Sequence, residues 1–198
     1  DGAVFCWGRQ TSGALGNGVS SSAYVFASAL VAAVNMSTPL SAIQITSGQD
    51  YSCALFSNGS AKCWGANAQG QLGYGDTTNR LVPPSAAIAV GGSLISINTF
   101  CIGLHTCGIL STGALKCWGY NSFGQLGLGF TSSSVNSPPA TAINMSSPFG
   151  VTQVCVGYAH TCALLSDATV RCWGANSNGQ LGYGDLTQRN APSAVAVN

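Results

Sequence analysis

Residues 52–73 read SCALFSNGSAKCWGANAQGQLG, and the phrase returns as TCGILSTGALKCWGYNSFGQLG (106–127) and TCALLSDATVRCWGANSNGQLG (161–182). The chain opens on the second half alone, DGAVFCWG (1–8). The four tryptophans, Trp7, Trp64, Trp118 and Trp173, each sit in CWG and are separated by 57, 54 and 55 residues. A period of about 55 residues is long for a helix pair and suits a four-stranded blade. Each unit reads as an apolar strand (AIQITSG, VTQVCVG), a tight hairpin, the loop GQLG, a Pro-marked segment and a further apolar run. No helical periodicity interrupts the pattern, so the fold class is all-β.

Cysteine spacing specifies the hairpin. Cys53 and Cys63, Cys107 and Cys117, and Cys162 and Cys172 are each ten apart. A three-residue loop at the centre sets each pair directly opposite across antiparallel strands, where Cα atoms lie about 4.5 to 5.5 Å apart, within reach of a disulfide. Ser57-Asn58-Gly59 and Ser111-Thr112-Gly113 supply glycine at the left-handed position of a type I turn with a G1 bulge. The third loop has Ala168 there, which predicts a strained or differently shaped turn. Three disulfides inside blades are expected, each locking hairpin register.

Composition narrows the function classes. Hydrophobic residues make up 46% of the 198, which favours a folded chain. Only 6% are charged, Glu is absent and the net charge is +1. That gives no basic field for nucleic acid. The longest soft stretch, SAYVFASALVAAV, is too short to span a bilayer. Nine cysteines in a chain rich in Ser, Thr, Gly and Asn point to an oxidising, extracellular or cell-surface compartment.

The phrase HTCALLSDATVRCWGANSNGQLGYGD (160–185) resembles the repeat of the regulator of chromosome condensation family, and the match recurs across essentially the whole chain. The resemblance implies a β-propeller of four-stranded blades, with about 3.6 repeats present in one propeller segment, 1–198. The units run approximately 1–40 (partial), 41–92, 93–148 and 149–198 (partial). The cysteine-paired form is similar to secreted or surface members rather than to the nuclear exchange factor. Unit 1 departs from the pattern: Ala14 replaces Gln and the loop Asn is missing, so an irregular outer loop is expected.

Cys101 (FCIG) and Cys155 (VCVG) read as the same phase of adjacent repeats. Either an inter-blade disulfide or two buried thiols would satisfy that phase. Zinc held by these cysteines with His105 and His160 is disfavoured, because Cys107 and Cys162 have hairpin partners. The two histidines recur in HTC where the earlier unit has Tyr51, which indicates structural hydrogen bonding rather than general base catalysis. Asp76 with Arg80, and Asp185 with Arg189, read as loop-ordering ion pairs. Asn35, Asn58 and Asn144 head N-x-S/T sequons, glycan acceptors in a secreted protein. No catalytic residue, metal or cofactor is expected.

Cys6 aligns with Cys63, so its hairpin partner would precede residue 1, and it is read as unpaired or intermolecular. Asp1 and Gly2 read as the last two residues of a hairpin loop. VAVN (195–198) aligns with the start of a further inner strand. The predicted function is a non-catalytic extracellular structural or adhesive module in a surface or filamentous assembly. Its partners would be copies of itself, flanking blades of a longer chain or another extracellular protein. The alternative is a secreted protein-binding or enzyme-inhibiting propeller.

Overall fold

The computed structural model describes residues 2–26, 32–37 and 40–197. It is a radial array of antiparallel sheets with, among the described residues, a single short 3₁₀ turn, Thr11–Gly13. Blade 2 comprises β3 (Ala42–Gly48), β4 (Tyr51–Phe56) and β5 (Ala61–Gly65). Blade 3 comprises β6 (Leu94–Asn98), β7 (His105–Leu110), β8 (Leu115–Asn121) and β9 (Ser132–Val135). Blade 4 comprises β10 (Val151–Val156), β11 (His160–Leu165) and β12 (Val170–Gly174). Before them, β1 (Gly8–Arg9) pairs with β2 (Tyr24–Val25) as the outer part of blade 1. Among the described residues only blade 3 has a full fourth strand. In blades 2 and 4 it shrinks to single bridges, Gly65 to Arg80 and Gly174 to Arg189, in segments that run on to prolines.

The hairpins have the expected register. Cys53 faces Cys63, Cys107 faces Cys117 and Cys162 faces Cys172. Gly59 and Gly113 take φ of +78° and +80° at the loop end. Ala168 keeps the same loop shape at φ +66°, so the strain is tolerated rather than avoided. Gly2 also lies in the left-handed region, as the tip of blade 1; Asp1, Asn198 and the centre of the SAYVFASALVAAV stretch lie outside the described residues.

The core sits in the joints between blades. One layer joins Cys53, Leu55 and Leu72 of blade 2 to Leu94, Ile97 and Trp118 of blade 3. Another joins Ile109, Leu115 and Leu126 to Val154, Leu165 and Trp173. The third packs Val4, Val34 and Met36 on Phe56 and Trp64. Alternation makes this possible, because Cys63 looks forward to the next blade while Trp64 looks back.

Backbone hydrogen bonds define two rims. Hairpin tips hold the start of the next inner strand: Leu94 N–H donates to the Gly59 carbonyl and Val151 N–H to that of Gly113, both at 2.8 Å. On the opposite rim the inner turns tie to the Gly-rich loops, as in Ala66 N–H to Asp50, Tyr120 N–H to Leu104 and Ala175 N–H to Ala159.

Candidate interaction surfaces

Each joint is built from a tryptophan of one blade and the Gly-rich loop of the blade before it. Trp64 Nε1 donates to the Ala14 carbonyl at 3.1 Å, Trp118 to Gln71 at 3.0 Å and Trp173 to Gln125 at 2.9 Å. The final glycine of each loop must leave room for the ring. A Cβ on Gly73 would stand 2.6 Å from Trp118 Nε1, and one on Gly127 would stand 2.7 Å from Trp173 Nε1. The acceptor is a backbone carbonyl, so Ala14 serves unit 1 as Gln71 and Gln125 serve the others.

The loop is sewn by its asparagine. Asn67 is fully buried; its Oδ1 accepts from Leu72 N–H and its Nδ2 donates to the Asp76 carbonyl, both at 2.9 Å. Asn121 and Asn176 repeat the pattern with Leu126 and Leu181. Unit 1 has no such asparagine, and its loop instead takes the 3₁₀ turn with Ser12 at φ +57°. Asp76 bonds Arg80 at 2.7 Å and Asp185 bonds Arg189 at 2.9 Å, with each guanidinium over a tyrosine ring, Tyr74 or Tyr183. The Arg189 hydrogen bond, with the Thr187 N–H, pulls Asp185 down to about 2.

Nearer the axis, Tyr51 O–H donates to the His105 carbonyl at 2.9 Å. His105 Nε2 lies 2.9 Å from Thr161 Oγ1, one blade on. Burial, with a smaller effect of nearby His160, lowers the His105 pKa to about 3, so the ring is neutral and structural. Sequence reasoning missed three cations inside the joints. Lys62 Nζ donates to the Met36 carbonyl at 2.6 Å and Lys116 Nζ to that of Ala140 at 3.0 Å. Arg171 is buried with Nε and one Nη lacking partners among the described residues. Their period-2 alternation with tryptophan was the available signal.

The structure joins Cys53 to Cys63, Cys107 to Cys117 and Cys162 to Cys172, and leaves Cys6, Cys101 and Cys155 as thiols. Cys101 and Cys155 do not share a position, which corrects the reading of their phase. Cys155 lies within β10 opposite Cys162, where blades 2 and 3 have Thr46 and Asn98. Cys101 belongs to the turn after β6, where the connection from Asn98 to its partner Cys107 is two residues longer than that from Cys155 to Cys162. Among the described residues no group of three or more His, Cys, Asp or Glu is arranged to hold a metal. No helix among them is long and apolar enough to cross a membrane.

Asn35, Asn58 and Asn144 are all exposed, and each Oδ1 accepts the N–H two residues on. All three stand on the hairpin-tip rim. Asn58 is in a tip; Asn35 and Asn144 follow Val34 and Ile143, whose N–H groups pair with Val4 and Leu115 beside the tips. The other rim exposes Phe100, Ile102, Phe123 and Tyr158.

Among the described residues two half-joints lack their other half. Trp7 is 60% exposed, whereas Trp64, Trp118 and Trp173 are fully buried. It edges a cavity of about 580 Å³ with Cys6, Ile45, Tyr51 and Cys101. At the other side, Gly182 faces Val197 and no indole.

Comparison with known proteins agrees with this geometry. The Regulator of chromosome condensation (RCC1) repeat matches residues 1–55 and 112–164, and a second form of it matches 42–71 and 151–180. The chain is 31% identical over 197 residues to mouse probable E3 ubiquitin-protein ligase HERC4, covering 98% of this chain and 18% of that protein. It is 32% identical over 151 residues to the Arabidopsis thaliana ultraviolet-B receptor UVR8, covering 76% of this chain and 33% of the receptor. The chain thus spans about a fifth to a third of these relatives. Human WBSCR16 superposes with a TM-score of 0.80 at 24% identity, over 93% of this chain and 45% of that one. Prp20p of Saccharomyces cerevisiae superposes with 0.71 at 22% identity, over 93% and 44%. Repeat by repeat, from the CWG strand to the glycine loop that seats the next tryptophan, this chain belongs to the RCC1 repeat family and has its propeller fold.

Proposed function

We propose that this chain is a non-catalytic protein-interaction propeller that works in an extracellular or surface assembly by docking blade against blade. The observation that carries the reading is the pair of open half-joints, Trp7 on one face and the Gln180–Gly182 loop on the other. Each is half of a contact that the chain makes three times internally. Their natural occupant is a blade of the same repeat, from adjoining sequence or from a second copy. The three cysteine pairs fit an oxidising compartment. Glycans on Asn35, Asn58 and Asn144 would cover the tip rim and leave the joints free. No nucleic-acid partner is proposed, given the net charge of +1.

Sedimentation across a concentration series tests the assembly, using the chain and a Trp7→Ser variant. Concentration-dependent oligomers that W7S abolishes support it; a chain that stays monomeric at every concentration argues against self-docking. Intact mass before and after glycosidase, on protein secreted from a eukaryotic host, tests the glycans. A second reading, recognition of another extracellular protein, is favoured by Phe100, Ile102, Phe123 and Tyr158 on the opposite rim. The solved Prp20p work describes binding to Gsp1p and histones, so a propeller of this fold does bind proteins. Loss of a stoichiometric ligand on Tyr158→Ala or Ile102→Ala would identify that rim.

A further inference from the structure

Blade 4 holds three cysteines in one row. Cys155 on β10 is the register partner of Cys162 on β11, which is the register partner of Cys172 on β12. Residues directly opposite in antiparallel strands project to the same face. An independent feature agrees: Cys155 and Cys162 line one cavity of about 270 Å³, together with Gln153 and Leu164. Cys155 is an exposed thiol and Cys162 is half-buried, while Cys172 is buried. The equivalent rows in blades 2 and 3 carry Thr46 and Asn98 in place of the third cysteine.

Thiol–disulfide exchange needs the attacking, central and leaving sulfurs in one line, with the thiolate as nucleophile. Three register partners on three adjacent strands supply that line, because strands are spaced evenly across a sheet. We propose that blade 4 is a thiol–disulfide exchange site in which Cys155 attacks Sγ of Cys162. A Cys155–Cys162 bond forms as the Cys162–Cys172 bond breaks, and the electron pair leaves on Cys172 Sγ. The proton lost by Cys155 is regained from solvent at Cys172, so no oxidant or reductant is consumed. Both bonded forms join neighbouring strands at facing positions, so the sheet need not re-register. The free thiol moves from the inner strand, β10, to β12.

The test uses the full chain with Cys6→Ser and Cys101→Ser, so that the blade 4 row holds the one remaining free thiol, Cys155. Native protein is pulse-alkylated at pH 8, unfolded without reductant and mapped by mass spectrometry. The expected result is label on both Cys155 and Cys172, at least several-fold above background for Cys172, and unchanged on tenfold dilution. Adding Cys155→Ser sets the background and should leave Cys172 unlabelled. Label on Cys172 equal to that background would overturn the proposal. Because Cys172 is buried, Cys172→Ser gives a second readout: a Cys155–Cys162 disulfide is expected, and a free Cys162 thiol in the folded variant would also overturn it.

Discussion

The indole N–H of Trp118 donates to the main-chain carbonyl of Gln71, 3.0 Å away in the preceding blade. The same carbonyl accepts the Thr106 hydroxyl at 2.9 Å, so one loop atom anchors two strands of the next sheet. Trp118→Phe keeps a ring in the joint but removes the donor and part of the volume. A loss of about 2 kcal/mol is expected in chemical denaturation.

The loop glycine can be tested separately from its conformation. Gly73 (φ +81°) and Gly75 (φ +86°) are both left-handed, but a Cβ on Gly75 meets nothing within 4 Å. Gly75→Ala should cost only the conformational strain, about 1 to 2 kcal/mol. Gly73→Ala should cost about 1 to 3 kcal/mol more, because the methyl overpacks against Trp118. Equal losses for the two variants would show that the joint yields to the ring.

Ala168 is a residue whose replacement by glycine should improve the protein. Its φ of +66° is shared with Gly59 and Gly113 in the other blades. Ala168→Gly should raise stability by about 1 kcal/mol, since glycine occupies that region without steric penalty. A thermal melt of the single variant checks the sign.

Acid should weaken the propeller before its carboxylates titrate. His105 is neutral when folded, with its pKa lowered to about 3, while an unfolded histidine titrates near pH 6.5. Above about pH 6.5 both states are neutral and the full stability remains. As pH falls, the unfolded chain takes up the proton first, and each unit down towards about 3 costs up to about 1.4 kcal/mol. His160 is shifted the same way by burial. Asp76 and Asp185 are lowered and therefore add their own loss only below about pH 4. His105→Gln should flatten the profile between pH 4.5 and 6.5, followed by urea unfolding at each pH.

Mild reductant should open the disulfides in order. Cys162 is half-buried on the face of blade 4 that no later blade covers among the described residues, whereas the Cys53 and Cys107 pairs are fully buried between blades. Timed alkylation should therefore find the Cys162–Cys172 pair first. Replacing Cys107 and Cys117 together by alanine should cost about 2 to 3 kcal/mol, as expected for a loop of about ten residues.

Much of this architecture was legible because the repeat is written in residues with narrow backbone requirements. Cys-x₉-Cys around a central Gly specified the hairpin, and the run of CWG specified the period. What was not legible was direction. Spacing says that Trp118 and Cys117 face opposite ways, but not which neighbour each one meets. The phase of Cys101 failed for a related reason, since two extra residues between the paired positions Asn98 and Cys107, compared with Cys155 and Cys162, shift sequence alignment without shifting the strands. Lys62 and Lys116 drew no reading from sequence; both are buried in the joint, where each Nζ finds a carbonyl. The open half-joints, which carry the functional reading, depend on that direction and emerged only with the fold.

The tryptophan always comes from the later blade and its acceptor from the earlier one, so the array is polar in the sense that a microscopic ratchet is polar. Two such faces brought together indole to indole would bury two donors with no carbonyl between them, and two loop faces would meet with no ring to fill the gap. Growth or capping of this propeller therefore has a permitted handedness of encounter, head to tail, before any side chain on either rim is consulted.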